Sequence, residues 1–159
     1  MIASAQSVAD QVRPLQKCGQ KVVFTNGCFD ILHSGHVDFL RRARSLGDML
    51  VVAVNSDNSV ARMKGPFRPI IPESERVELL EAFEMVDFVC TFDEDTPLKT
   101  IECIRPDVLV KGAEWTGNIV GQSEVEGWGG KVVALPLVAG HSTTGIVETV
   151  LSRYRRSGS

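Results

Sequence analysis

The chain contains no Cys-x-x-Cys pair, no surplus of basic residues and no long apolar run, and each absence removes a class of function. Its four cysteines, Cys18, Cys28, Cys90 and Cys103, have neither zinc-site nor disulfide-framework spacing. Three of them lie in or beside apolar runs, where a reduced cysteine is a small hydrophobe, so the sequence points to a reducing, cytoplasmic compartment. A formal net charge of -3 gives no basic footprint, which argues against a nucleic-acid partner. No apolar stretch approaches the ~20 residues of a membrane span, so no membrane association is expected. The opening MIASAQSVAD lacks the basic and apolar regions of a signal peptide. No internal repeat, low-complexity tract or linker is visible.

What is present suits one globular domain spanning 1–159, with 43% hydrophobic and 23% charged residues and length enough for a core. Residues 1–20 read as a peripheral N-terminal helix, with Pro14 near its end, and 155–159 as a loose polar tail. Apolar runs predict strands near 21–26, 49–54, 86–92, 108–110 and 131–135. Between them, helical periodicity or helix-start chemistry predicts helices near 34–46, 73–83, 96–104 and 119–126, with a last helix at 145–154. The segment from Asn55 to Pro72, rich in turn formers and holding Lys64 and Arg68, reads as a turn followed by a long loop. Alternating strands and helices predict an α/β fold, a Rossmann-like five-stranded parallel sheet with helices on both faces.

Of only three histidines, two stand in the turn after the first strand, in KVVFTNGCFDILHSGH. At the start of a helix, His33 and His36 point the same way, and Gly35 lets a ligand approach the backbone. Imidazole donors beside free backbone amides suit a polyphosphate. An HxxH pair can also bind zinc, but no third ligand is evident at a suitable spacing. A second such site is Gly140-His141-Ser142-Thr143-Thr144, where Ser142 or Thr143 can cap the last helix and its free amides face an anion.

The string TNGCFDILHSGHVDFL resembles the signature of the nucleotidyltransferase superfamily carrying the HxGH motif, which includes cytidylyltransferases and adenylyltransferases. The resemblance runs over 21–151. It implies that His33, His36 and Lys64 stabilise the transferring phosphoryl group, and that Ser142, Thr143 and Thr144 hold the outer phosphates. It also implies nucleotide or phosphate contacts at Thr25, Asn26, Gly27, Phe29, Asp30, Gly35, Lys111, Gly112 and Trp115. The second substrate is expected against Asp57, Arg68 and Arg76, although Asp57 reads equally as a turn former and Arg76 as a helix ion-pair partner. Trp115 would stack on the base, whereas Trp128 is assigned to packing.

Within the superfamily, VNSD, RPI, VKGAEW, GWGGKVVALPL and STTGIVETV most resemble the sugar-phosphate branch. Its best-known member makes ADP-heptose and pyrophosphate from ATP and D-glycero-β-D-manno-heptose 1-phosphate. The implied substrates are therefore ATP and a sugar 1-phosphate, with Mg²⁺ carried by the phosphates and no metal ligand among the side chains. A stand-alone enzyme is the corresponding expectation, with a homodimer, common among small enzymes and relatives of this kind, as its assembly. Two departures stand out. Glu114 replaces an expected aspartate, and LVAGHST lacks the arginine of the RTEGIST found in glycerol-phosphate cytidylyltransferases. A CTP- or GTP-using enzyme of the same fold and a non-catalytic nucleotide-binding module are the competing readings.

Overall fold

A computed structural model describes residues 2–114 and 117–155. The elements run α1 (Ala5–Lys17), β1 (Val22–Gly27), α2 (Ser34–Arg44), β2 (Met49–Asn55), α3 (Asp57–Lys64), α4 (Glu73–Glu81), β3 (Phe88–Phe92), α5 (Leu98–Ile104), β4 (Val108–Gly112), α6 (Gln122–Gly127), β5 (Lys131–Leu135) and α7 (Thr143–Arg155). The five strands form a parallel sheet ordered β3-β2-β1-β4-β5, as the alternating pattern predicted.

Successive strand residues point to opposite faces, so each strand feeds two cores. Val22, Phe24, Val51 and Leu109 pack under α1, α5 and α6, while Val23, Leu50, Val52 and Val110 pack under α2 and α4. Burial on both faces explains why MLVVAVN is apolar almost throughout: every residue of β2 is buried. The α1 helix is less peripheral than its sequence suggests, because Val8, Ala9 and Val12 are fully buried against the sheet. Pro14 lies in the final turn of α1, which continues through it to Lys17. The α7 helix buries none of its side chains. No helix among the described residues is long and apolar enough to cross a membrane.

The stretch read as a turn and long loop is half wrong: residues 57–64 form α3. Ser56 caps it, its Oγ accepting from the Ser59 N–H at 3.0 Å, and Asp57 sits in the first turn where the helix dipole favours an acid. Asn55 Nδ2 donates to Ser59 Oγ inside, and Gly65, at φ 101°, ends the helix. The polar string Asn-Ser-Asp-Asn-Ser is thus a capped helix start. Only the stretch from Gly65 to Pro72 remains a loop.

The sheet order reverses between β1 and β4, and such a switch point at the strands' carboxyl ends is where open α/β sheets receive ligands. Here β1 stays paired with β2 through Gly27↔Val54, but its pairing with β4 stops at Phe24↔Leu109. Beyond that point the Thr25 hydroxyl takes over, donating to Val110 O at 3.0 Å, and the two strands part. A cleft opens between them.

Candidate active site

The cleft has a volume of about 520 Å³ and is floored by the end of β1, within the size of a small-molecule pocket. The chain leaves β1 through a tightly wound turn in which Phe29 and Ile31 take positive φ values of 49° and 51°. That turn buries the Phe29 ring beneath the cleft and buries Asp30 with it. Asp30 accepts three hydrogen bonds: from Ile71 N (2.9 Å), Ile70 N (2.9 Å) and Arg68 Nε (2.7 Å). Burial works against its charge, yet the Ile70 and Ile71 N–H groups and the Arg68 guanidinium outweigh it and hold the carboxyl below its ordinary value. The Asp30 carbonyl also accepts from Thr143 Oγ1 at 2.6 Å. One residue therefore ties the 68–71 loop and the start of α7 to the turn between them.

His33 is the N-cap of α2, and the two motif histidines form a reciprocal capping box. The Gly35 N–H donates to His33 Nδ1 at 3.1 Å, and the His33 N–H donates to His36 Nδ1 at 3.2 Å. An Nδ1 that accepts carries no proton, so each neutral ring holds its proton on Nε2, on the far side from the backbone. The rings lie 3.9 Å apart between centroids. Burial depresses the His36 pKa to about 4, with His33 and Lys64 adding to the effect. Burial, followed by His141, lowers that of His33. At pH 7 the pair consists of uncharged N–H donors.

Gly35 is required by close approach. A Cβ there would lie 2.9 Å from His141 Cβ and from the His33 ring. Gly35→Ala should leave the fold intact and lower turnover about tenfold by turning the His33 ring out of place, since small misplacements of a catalytic group are costly. Steady-state kinetics beside a thermal melt checks this. An unchanged rate would mean that the His33 ring position is immaterial.

Beside α2 stands the start of α7. Ser142 Oγ accepts from Gly145 N at 3.0 Å, so Ser142 is the cap, and the Thr143 hydroxyl is used on Asp30. The Thr143 and Thr144 N–H groups lie in the first turn, where a helix offers no carbonyl partner, and remain available to an anion. Two helix N-termini thus lie side by side at the cleft, in contact through Ser34 Oγ and His141 Nδ1 at 3.3 Å. Lys64, exposed at the end of α3, and Arg68 line one side, and Lys111 rises from β4 on the other. Lys111 donates to Asn26 Oδ1, and burial pulls its pKa down to about 8. Gly27 and Gly112 keep the floor low, with Phe29 against the former and Leu137 against the latter.

Two expected acceptor contacts fall elsewhere. Arg76 is fully buried and spends its guanidinium on protein: Nε on Ile71 O, Nη1 on Cys28 O and Asn55 O, Nη2 on Asp57 Oδ1. Asp57 Oδ1 also accepts from Glu73 N at 2.8 Å. Neither lines the cleft, so together they brace the floor beneath it. Arg68 does line it, with Nε committed to Asp30. Trp115 lies outside the described residues.

The cleft also gathers residues the sequence did not single out: Asn55, Met63, Asp95 and Thr96 on the β2–β3 side, and Ile119, Val120, Leu137 and Val138 on the β4–β5 side. His141 joins them, 6.2 Å from His33 between ring centroids, so all three histidines of the chain meet here. Its place beside the Ser-Thr-Thr run was the available signal.

The model of the cytidylyltransferase-like family matches residues 24–148. The bifunctional protein HldE of Syntrophotalea carbinolica is 51% identical over 152 residues, which are 95% of this chain and 31% of that one. HldE of Geobacter sulfurreducens is 53% identical over 137 residues, 86% of this chain and 28% of that one. The chain thus spans about a third of the length of these curated relatives. Among solved structures, a lipopolysaccharide core biosynthesis protein from Thermoplasma volcanium is similar at TM-score 0.62 and 33% identity, over 76% of this chain and 98% of that one. A pantoate-beta-alanine ligase from Francisella tularensis, at TM-score 0.59 and 14% identity over 98% of this chain and 78% of that one, shares the fold.

Proposed function

The chain belongs to the cytidylyltransferase-like family, and on that premise we propose that it transfers the adenylyl group of ATP to a sugar 1-phosphate, releasing pyrophosphate. The observation that carries this reading is the pair of adjacent helix N-termini at the switch point, one armed with Nε2–H imidazoles and the other with unpaired amides. Two anion-binding helix starts side by side fit a triphosphate. The end of the cleft at Gly112, Ile119, Val120, Leu137 and Val138, with Glu114 and Asn118 beside them, suits a base, and the end at Asn55, Lys64, Arg68, Asp95 and Thr96 suits a phosphorylated sugar.

In this reading an oxygen of the sugar phosphate attacks the α-phosphorus in line. The new P–O bond forms as the bond to the β-phosphate oxygen breaks, and pyrophosphate leaves with the electron pair. A phosphate monoester is already anionic at pH 7, so the protein need only position the reactants and stabilise charge. His33, His36 and Lys64 would donate to the α-phosphate, and Thr143 and Thr144 amides would hold the leaving group. A divalent ion such as Mg²⁺ would enter with the triphosphate and offset its charge. Among the described residues no group of three or more His, Cys, Asp or Glu could hold a metal, and Asp30 already serves three donors. The fit is therefore to a metal carried by phosphates.

Resemblance to the sugar-phosphate branch and likeness to a lipopolysaccharide core biosynthesis protein favour D-glycero-D-manno-heptose 1-phosphate as the acceptor. Pyrophosphate release should be measured with four nucleoside triphosphates against a panel of phosphorylated acceptors. ATP with heptose 1-phosphate should give the highest kcat/KM. A preference for CTP with glycerol phosphate would overturn the substrate assignment, and ATP binding without turnover on any acceptor would make the chain a binding module.

A further inference from the structure

The α7 side of the cleft is formed by Leu137, Val138, His141, Ser142, Thr143 and Thr144, and His141 is its only titratable side chain. Among the described residues, the lysine and arginine side chains of the cleft stand elsewhere: Lys64 and Arg68 on the β2 side, Lys111 on β4. In the transfer described above, the outer phosphates carry most of the substrate's negative charge, and it grows there as pyrophosphate leaves. A wall of hydroxyls and amides alone faces that charge with dipoles only.

His141 is placed to add to it. Its Nδ1 lies 3.3 Å from Ser34 Oγ, its ring stacks on His33 at an interplanar angle of 24°, and its Cβ sits over Gly35. These contacts fix the ring between the two helix starts while it stays exposed to the cleft. No hydrogen bond to its Nε2 occurs among the described residues. A phosphate oxygen only accepts, so a bound polyphosphate selects the ring form with a proton on Nε2, and the Ser34 hydroxyl can donate to Nδ1 in the neutral form.

We infer that His141 is a third phosphate-contacting imidazole, joining His33 and His36 and binding the leaving pyrophosphate through Nε2. The inference rests on the nucleotidyl-transfer reading and adds a residue to it. It predicts selectivity between ligands. Losing His141 weakens whatever carries β- and γ-phosphates and spares a nucleotide that ends at the α-phosphate.

The test is calorimetric binding of pyrophosphate, ATP and AMP to the intact chain, with His141→Ala and His141→Gln beside wild type. His141 is exposed, so both variants should fold, and a thermal melt confirms it. Pyrophosphate and ATP affinities should fall about tenfold in His141→Ala, as for loss of one charge-assisted hydrogen bond, with AMP changed less than about twofold. Glutamine, which keeps an N–H donor, should recover part of the loss. Equal pyrophosphate affinity in wild type and His141→Ala overturns the inference and leaves the nucleotidyl-transfer reading standing. Wild type that binds neither ATP nor pyrophosphate overturns that reading and the inference with it.

Discussion

His36→Ala should lower kcat for nucleotidyl transfer by about 10²–10³, the range found when one preorganised oxyanion donor is removed, and reduce ATP affinity much less. The asymmetry follows from geometry. His36 is half-buried, its Nδ1 is held by the His33 N–H, and its Nε2–H is therefore aimed at one point in the cleft. A donor fixed that firmly adds little to a ground-state triphosphate held at many points. It adds most where charge builds during the reaction. The substitution also removes the acceptor for the His33 N–H, so turnover and thermal stability must be measured together. A variant with unchanged kcat would remove His36 from the mechanism.

The charge state of His36 gives that prediction a pH signature. With a free-enzyme pKa of about 4, the ring is neutral throughout the neutral range. The pH dependence of kcat/KM reports groups in the free enzyme. If neutral His36 is the working donor, kcat/KM shows no His36 limb between pH 6 and 8, and the His36 limb comes only as acid protonates the ring near 4. If the imidazolium were required, kcat/KM would climb about tenfold for each unit of falling pH across that interval. The former is expected.

How much of this was legible beforehand depended on the kind of signal. Strands such as MLVVAVN announce themselves because burial on both faces forces an unbroken apolar run. The histidine pair stood out because its residue types are rare in this chain and locally clustered. The α3 helix did not, since Ser56, Asp57, Asn58 and Ser59 favour turns and helix starts alike, and only burial of Ser59 and Val60 decides between them. Arg76 misled for a related reason. Its sequence neighbours are those of an exposed helix, and the four carbonyl and carboxylate oxygens that bury it come from residues 28, 55, 57 and 71. His141 was visible as a letter but lies 108 residues from His33, and only the fold closes that distance.

Asp30→Ala should cost about 3–5 kcal/mol of stability, the range for breaking a buried ion pair by deleting one partner. The carboxylate is 2% exposed, and its loss strands the Ile70 and Ile71 N–H groups and the Arg68 Nε. Asp30→Asn should cost less, because the amide oxygen still accepts, although its NH₂ meets a donor where an acceptor stood. The sign of the pH dependence follows from the depressed folded-state pKa. The stability that Asp30 contributes is fully present above its unfolded value near 3.8 and disappears as pH falls through the lower folded value. Denaturation curves collected from pH 7 down to 2 should therefore fall less steeply for Asp30→Asn than for wild type below about pH 4. Activity should suffer in the same variants. The 68–71 loop carries Arg68 into the cleft, and the Asp30 backbone anchors Thr143, so loosening the turn displaces the loop and the start of α7 at once. A variant as stable as wild type at pH 7 would mean that these three donors find water or other partners at little cost. The turn would then be held by Arg76 from below, through the Cys28 carbonyl, and Arg76→Met would have to be the more damaging change.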